Sequence, residues 1–389
     1  MTSKSPFTTQ QGEFPQQQID GKEINLALGQ PSPRLLPLPA LADAAGRRLR
    51  SGNDPLVLQY GIATGTMSFR RDLAAFLSAR HGIDIIPETL MVSGGNSMAL
   101  ALSCPLFLRG GAVVCEDPTY FLARGIFESH GAPIIGIPVD QYGMRVDLLE
   151  KKLEEGIQVD IVYSIPAFHN PTAVTLGTER REQLLELAHR FDFTILADEP
   201  YGLLHFGDTA PLPLASQDPH GRVVSLGSFS KILGPGLRLG WIHAAPALLK
   251  RLAEHAVLRS GGGLNPVIAA MVHELLADGF LGQHIDVLRN EFRQRADTLN
   301  HALARLVPTV DVSPVEGGYF AWLDFGAVSC DTVLKQSLLG GLKFTPGSLC
   351  GVQLDHETNA RFSFAFYEAA ELEVAAERLA SSLEAIDAR

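Results

Sequence analysis

Short apolar runs alternate with helix-like segments between about residue 88 and residue 245. In the segment ERREQLLELAHRF, for example, apolar residues recur at helical spacing. Continuous apolar runs are typical of strands that are buried on both faces. The alternation therefore predicts an α/β fold in which helices cover a mostly parallel sheet. The runs that predict strands are TLMVS, AVVCE, DIVYS, FTILAD and RVVSLG.

The two ends of the chain follow other patterns. Residues 1–20 are rich in Gln, Thr and Ser, which predicts a flexible N-terminal arm. Beyond residue 285, a long helical stretch and short strand-like runs such as GGYFAWLDF indicate a smaller α+β unit. We therefore predict an arm at 1–20, a segment at 21–60, a large domain at 61–285 and a small C-terminal domain at 286–389.

Composition narrows the class of protein. The 389 residues are 46% hydrophobic and 19% charged, which is typical of a compact globular chain. A formal charge of −11 disfavours nucleic acid as a partner, because phosphate backbones select basic surfaces. No apolar run approaches the roughly 18 residues of a membrane span, and the first residues lack the apolar region of a signal peptide. We expect a cytoplasmic protein with no membrane contact.

The cysteines show no metal-ligand spacing and no dense disulfide pattern. We expect no metal site, and we expect three or four of them to be buried thiols in a reducing compartment. They are Cys104, Cys115, Cys330 and Cys350.

Residues suited to chemistry follow the predicted strands at the points where the apolar runs end. Open α/β sheets bind ligands beyond the carboxyl ends of their strands, so these residues are expected to converge on one crevice. The segments concerned are SGGNS, DPTY, HNPT, ADEPYG and SFSK.

A phosphate site is the first chemistry these segments suggest. The glycines of SGGNS open a helix, where backbone N–H groups can approach an anion, although a tight turn explains them equally well. Ser228 and Ser230 add hydroxyl donors, and Arg238 adds a planar fork suited to phosphate.

Lys231 and Asp198 suggest a covalent cofactor. Lys231 follows an apolar strand, and a desolvated lysine near other cations has a lowered pKa and can form an imine with a carbonyl. An exposed lysine is the default alternative. Asp198 either caps a helix or pairs with a buried cation. Asn170 and Tyr201 could supply neutral hydrogen bonds. Pyridoxal 5′-phosphate, with its aldehyde, basic ring nitrogen, phenolic oxygen and phosphate, would use all of these groups.

The order and spacing of eight motifs resemble the fold-type I pyridoxal-phosphate enzymes, specifically the class I/II aminotransferases, from about Asn25 to the C-terminus. Within that class the chain looks most like the branch of broad-range 2-aminoadipate and aromatic aminotransferases. The resemblance implies a large domain with a seven-stranded type of sheet, a smaller C-terminal domain, and a homodimer with shared active sites. It also implies that the segment at 21–60 completes the small domain and the active site. The motifs are LGQPSP, LQYG, SGGNSMAL, DPTYF, FHNPT, ADEPYG, SFSKILGPGLRLGW and RFSFA.

The resemblance also implies roles around the cofactor ring. Lys231 is the expected Schiff-base lysine and proton shuttle, and Asp198 the expected partner of the pyridine nitrogen. Tyr201 and Asn170 are expected to hydrogen-bond the phenolic oxygen, and Tyr120 to stack on the ring.

Phosphate and substrate contacts follow from the same resemblance. Arg361 is expected to bind the substrate α-carboxylate, assisted by Gly29 and Asn170. The expected phosphate ligands are Asn96, Ser97, Ser228, Ser230, Arg238 and, from the second subunit, Tyr60.

Two positions depart from the family pattern. Ala173 stands where glycine usually follows Asn-Pro-Thr, and Pro200 stands between the acidic pair and Tyr201. Neither change removes a chemical group, so we expect altered local geometry and an unchanged cofactor.

The expected reaction is ping-pong transfer of an amino group from an L-amino acid to a 2-oxo acid such as 2-oxoglutarate. A lyase, cyclase, decarboxylase or aldolase with the same cofactor is the main alternative. A non-catalytic sensor is a third, because the chain also resembles the catalytic half of MocR-type regulators. Arg34 either meets a distal substrate carboxylate or is an ordinary surface arginine.

Overall fold

The computed structural model describes residues 23–50 and 55–388, so the arm predicted at 1–20 lies outside the described residues. The helices are α1 Leu38–Arg50, α2 Met67–His81, α3 Asn96–Phe107, α4 Phe121–Ser129, α5 Val146–Glu154, α6 Thr178–Arg190, α7 Pro246–Ala253, α8 Ala256–Gly261, α9 Pro266–Ala277, α10 Phe280–Leu306, α11 Cys330–Leu339, α12 Gly347–Cys350 and α13 Ala369–Asp387. The strands are β1 Ile24–Asn25, β2 Leu90–Ser93, β3 Ala112–Asp117, β4 Ile134–Asp140, β5 Gly143–Met144, β6 Val159–Ser164, β7 Thr194–Asp198, β8 Val223–Ser228, β9 Gly240–Ala244, β10 Asp311–Val312, β11 Phe320–Asp324, β12 Leu342–Lys343, β13 Thr345–Pro346 and β14 Asn359–Ser363.

The central sheet has the strand order β2-β9-β8-β7-β6-β3-β4-β5. Strands β8, β7, β6, β3 and β4 are parallel, whereas β9 is antiparallel to both β8 and β2. The short β5 adds an antiparallel eighth strand beside β4. The predicted α/β fold with a mostly parallel sheet is confirmed.

Alternate residues of the central strands pack into two different apolar clusters. On β3, Val113 belongs to the cluster that includes α3, α4 and α7, whereas Val114 belongs to the one that includes α5 and α6. On β6, Ile161 and Val162 divide in the same way. Side chains of a strand alternate between the faces of its sheet, so helices cover this sheet on both sides. That is why its strands read as continuous apolar runs.

The C-terminal part has its own four-stranded antiparallel sheet, in the order β10-β11-β14-β13. Helix α13 packs along α10 and α11. Strand β1, from the opposite end of the described chain, pairs in parallel with β12. The domain boundaries stay predictions.

All four cysteines are buried and free, as expected. Among the described helices, none combines the length and the apolar character that crossing a bilayer requires.

Candidate active site

The carboxyl end of the central sheet brings together residues from several strands. Asp198 ends β7, Ser228 ends β8, and Asn96 begins the helix that follows β2. The amide of Asn96 donates to Asp198 Oδ1 at 2.5 Å and to the carbonyl of Leu226 at 2.9 Å. These bonds hold the start of α3 against the ends of β7 and β8.

Asp198 is a buried carboxylate that no charged side chain contacts at hydrogen-bond distance among the described residues. Its second partner is Tyr163, whose hydroxyl donates to Oδ2 at 2.8 Å. Burial raises the pKa of Asp198, and the bonds from Asn96 and Tyr163 and the charge of Lys231 offset this only in part. A cationic group placed here would stabilise the carboxylate.

Lys231 lies in the same crevice, directly after the β8 strand end. Its Nζ donates to the carbonyl of Gly29 at 2.5 Å. Burial, together with the charges of Arg361 and Arg238, lowers the pKa of Lys231 to about 8, although Asp198 acts in the opposite direction. The neutral, nucleophilic amine is therefore much more populated near neutral pH than in an ordinary lysine.

Two tyrosines surround the Lys231 amine. Its Nζ lies 5.3 Å from the ring centroid of Tyr319 and 5.9 Å from that of Tyr201. The hydroxyl of Tyr319 also donates to the backbone carbonyl of Lys231 at 2.7 Å. These contacts fix the lysine's backbone and limit the directions its side chain can take.

An anion-binding arrangement lies where α3 begins. Gly95 is its N-cap residue and has φ +87°, and a Cβ added there would stand 2.8 Å from Arg238 Nη2. Gly95 has no side chain that could cap the N–H groups of the first turn, and the guanidinium of Arg238 lies beside Gly95. Ser228 Oγ accepts from the backbone N–H of Ser230 at 3.1 Å, and Ser97 is exposed on the first turn.

Arg361 is the buried cation of the site. It lies on β14 and is 4% exposed, and its guanidinium donates to Asn170 Oδ1 at 2.8 Å, to Thr345 Oγ1 at 3.0 Å and to the Ala27 carbonyl at 3.0 Å. Its Cζ lies 4.3 Å from the ring centroid of Phe320.

Every partner that the described residues give Arg361 is neutral, and its Nε has none. Burial lowers its pKa. A buried guanidinium with a free donor is suited to a carboxylate ligand.

The three tyrosines predicted for the site differ in how deeply they are buried. Tyr201 is buried and meets Phe320 edge-on, with 5.9 Å between ring centroids. Tyr120 is half-buried at the N-cap of α4. Tyr60 is 84% exposed on the surface of this chain.

Comparison with known proteins identifies the family. Residues 21–379 match the family described as aminotransferase class I and II. The chain belongs to this family. The predicted resemblance is thereby confirmed.

Curated relatives of this aminotransferase include the aromatic-amino-acid aminotransferase 1 of Thermococcus litoralis, which is 34% identical over 92% of this chain and 88% of that protein. The 2-aminoadipate transaminase of Thermus thermophilus is 32% identical over 88% of this chain and 85% of that protein. A solved structure, the kynurenine aminotransferase of Pyrococcus horikoshii in complex with PMP, superposes with a TM-score of 0.85 at 31% identity, covering 93% of this chain and 91% of that one.

The aminotransferase site contains residues that sequence reasoning missed. Tyr163 and Tyr319 bond Asp198 and the backbone of Lys231, and Thr345 and Phe320 hold Arg361. Tyr163 lies inside an apolar strand, where its hydroxyl gives no signal of its own. Tyr319, Phe320 and Thr345 lie outside all eight motifs, and nothing next to them in the sequence indicates a site.

The two departures from the family pattern have different local consequences. Ala173 has φ +65°, in the left-handed region that favours glycine. Pro200 stands in the turn after Asp198 and cannot donate a backbone hydrogen bond.

Arg34 pairs with Glu368 at 2.5 Å, and both side chains are about half exposed.

Proposed function

We propose that this aminotransferase uses the crevice at the carboxyl end of its central sheet to transfer an amino group from an L-amino acid to a 2-oxo acid. The cofactor is pyridoxal 5′-phosphate, and the acceptor is 2-oxoglutarate in a ping-pong cycle. The observation that carries the proposal is the pair formed by Arg361, a buried cation with neutral partners, and Lys231, an amine with a pKa of about 8.

The residues present fit the cofactor. Asp198 is a buried carboxylate without a cationic hydrogen-bond partner, which suits a protonated ring nitrogen. The start of α3 and Arg238 suit its phosphate, and the Lys231 amine suits its aldehyde. When bound, pyridoxal 5′-phosphate supplies an electron sink for the bonding electrons of the substrate's Cα–H bond.

The chain's own residues bind and orient the substrate and move its proton. Arg361, held by Asn170 and Thr345, binds the α-carboxylate and so fixes the orientation of Cα. Lys231 Nζ, when neutral, accepts the proton from Cα of the amino donor, and in the second half-reaction the charged Nζ gives a proton to Cα of the acceptor. A pKa of about 8 allows both forms near neutral pH. Tyr201, lying against Phe320, is held beside this amine.

Four further roles belong to the same proposal. Tyr120 covers one face of the cofactor ring, Tyr201 and Asn170 hydrogen-bond its phenolic oxygen, and Asn96, Ser97, Ser228 and Ser230 join Arg238 at the phosphate. Gly29 assists at the substrate carboxylate through the loop whose carbonyl meets Lys231.

We also propose a cytoplasmic homodimer in which Tyr60 completes the partner's phosphate site. Tyr60 is exposed in a segment that also exposes Leu56 (73%) and Leu58 (71%), and such a cluster favours burial against another chain.

The test is a panel of L-amino acids, including aromatic amino acids, kynurenine and 2-aminoadipate, each assayed with 2-oxoglutarate. We expect glutamate to appear in a one-to-one ratio with the 2-oxo acid formed from the donor. Lys231→Ala should abolish this turnover, while Lys335→Ala, which removes an exposed lysine of α11, should leave it unchanged. Ammonia release without an acceptor would instead indicate a lyase, and ordinary turnover by Lys231→Ala would contradict the proposal.

A further inference from the structure

Asp117 connects the central sheet to the loop that precedes the Arg361 strand. It ends β3 and is 1% exposed. Its carboxylate accepts from the backbone N–H groups of Val352 at 3.0 Å, Gln353 at 2.8 Å and Leu354 at 2.9 Å. Its Oδ1 is also 2.9 Å from His356 Nε2, a residue 239 positions further along the chain.

The surroundings of Asp117 keep it in place. A Cβ added to Gly136 on β4 would lie 2.7 Å from Asp117 Oδ2, so the carboxylate occupies space that a side chain would need. The backbone N–H of Thr119 donates to the Cys350 carbonyl at 2.9 Å, and Arg124 donates to the Gly351 carbonyl.

The hydrogen bonds to Asp117 also keep its carboxylate ionised. Burial alone would raise the pKa of Asp117, but the bonds from His356 and the three amides outweigh it and hold the pKa below its ordinary value. The carboxylate is therefore ionised when it binds the loop, and hydrogen bonds to an ionised acceptor are stronger than neutral ones.

Both structures that Asp117 joins belong to the active site. On one side, the DPTY motif carries Tyr120, which is proposed to cover the cofactor ring. On the other side, the loop at 347–356 links β13 to β14, where Thr345 stands opposite Arg361 and accepts its hydrogen bond at 3.0 Å. Any shift of this loop moves one end of the Arg361 strand relative to Tyr120.

We propose that Asp117 is a positioning residue for catalysis, which sets the Arg361 guanidinium at a fixed distance from Tyr120 by binding the loop at 347–356. It contacts neither substrate nor cofactor itself. The inference rests on the proposed function, since it assigns the substrate carboxylate to Arg361.

Asp160 offers a matched control. It is also buried, at 6% exposed, and its carboxylate also accepts from backbone N–H groups, those of Arg109 at 2.6 Å and Gly111 at 2.7 Å. It lies near the start of β6, at the opposite end of the sheet from the site. Both Asp117→Asn and Asp160→Asn remove a buried anion that anchors a loop, so both are expected to lower the melting temperature.

Of these two variants, only Asp117→Asn should change KM for the substrate. With the holoenzyme and its best amino donor, we expect KM for the donor to rise about tenfold, whereas kcat should change less and the affinity for pyridoxal phosphate should stay within about twofold. Gly136→Ala, which displaces the Asp117 side chain without changing its charge, should raise KM in the same direction. Asp160→Asn should leave KM at the wild-type value.

Amide hydrogen exchange gives a readout that needs no activity. In the wild type, the amides of residues 352–354 should be protected. In Asp117→Asn they should exchange about tenfold or more faster, and in Asp160→Asn they should not change.

An unchanged KM in Asp117→Asn, or an equal rise in Asp160→Asn, would overturn the inference. If Asp117→Asn does not fold, Gly136→Ala decides by the same criterion. A wild-type enzyme without transaminase activity would instead overturn the proposed function, because it fails before any variant is compared.

Discussion

At the amino end of the central sheet, Arg109, Asp160, Asp192 and Arg222 form a series of ion pairs in which each charge faces an opposite one. At the carboxyl end, Arg361 has only neutral partners among the described residues, and Asp198 meets an amide and a hydroxyl. The two ends are built from the same kinds of residue, although Arg361 reaches the carboxyl end from β14 of the C-terminal sheet. They differ in whether the charges find partners within the chain.

The paired charges at the amino end bear on the stability of the fold, whereas the unpaired charges at the carboxyl end bear on ligand binding. The exposed pairs that Asp192 forms with Arg109 and Arg222 each contribute only about 0–1 kcal/mol, and the buried Asp160 is matched by Arg109. Buried charges without an opposite partner lower stability, and the folded chain keeps them where a ligand can supply the missing charge. The carboxyl end is therefore suited to ligands that carry both anionic and cationic groups.

The largest effect is expected from removing Arg361. In Arg361→Ala, kcat/KM for the amino donor should fall about a thousandfold, mainly through KM, because losing one partner of a buried charge pair costs about 2–5 kcal/mol. Steady-state kinetics measure this. Arg222→Ala removes an arginine from the amino end and should leave kcat/KM unchanged within about twofold, so a comparable loss there would erase the contrast between the two ends.

The titration of Lys231 should show a smaller effect. Its pKa of about 8 lies below the usual lysine value of about 10.4, so the neutral amine appears as the pH rises through 8. In the cofactor-free protein, acetylation of Lys231 followed by mass spectrometry should therefore reach half its maximal rate near pH 8.

The positive charge of Arg361 provides a control for the titration of Lys231. Arg361→Ala removes a positive charge that lowers the pKa of Lys231, so the midpoint should move to higher pH. Arg222→Ala should leave the midpoint where it is. A midpoint near pH 10 in the wild type would contradict the proposed shuttle role.

The smallest effect concerns backbone strain near the site. Ala173→Gly should stabilise the fold by about 1 kcal/mol, because φ +65° costs an L-residue about 1–2 kcal/mol and glycine recovers most of that. Urea unfolding measures the change. Ala188→Gly, within α6, should instead destabilise the fold by about 1 kcal/mol or more. If both variants change the free energy of unfolding in the same direction, Ala173 is not strained.

The sheet could be predicted from sequence because its strands are buried on both faces and therefore read as apolar runs. Asp198, Ser228 and Lys231 could be placed as well, because they interrupt or follow those runs at the end where α/β sheets bind ligands. Asp117 was noticed only as part of the motif that carries Tyr120. Its partners lie 235 to 239 positions away, and no local pattern encodes such a contact.

Other features depend on geometry that local patterns do not contain. The positive φ of Ala173 is a property of its turn, and the sequence indicated only an unusual residue there. The hydroxyl of Tyr163 reaches Asp198 because β6 and β7 are neighbours in register. Tyr60 stays a prediction, since its proposed site belongs to another subunit.

The pairing of β1 with β12 has a consequence for how the protein is made. The backbone N–H of Asn25 bonds the hydroxyl of Tyr367, 342 positions later, and the Gly29 carbonyl meets Lys231 Nζ across 202 positions. During translation, residues 24–29 must therefore wait until residue 367 has left the ribosome before all of these contacts can form. A nascent chain that has already assembled its central sheet therefore still lacks the contact between Gly29 and Lys231 in the candidate active site.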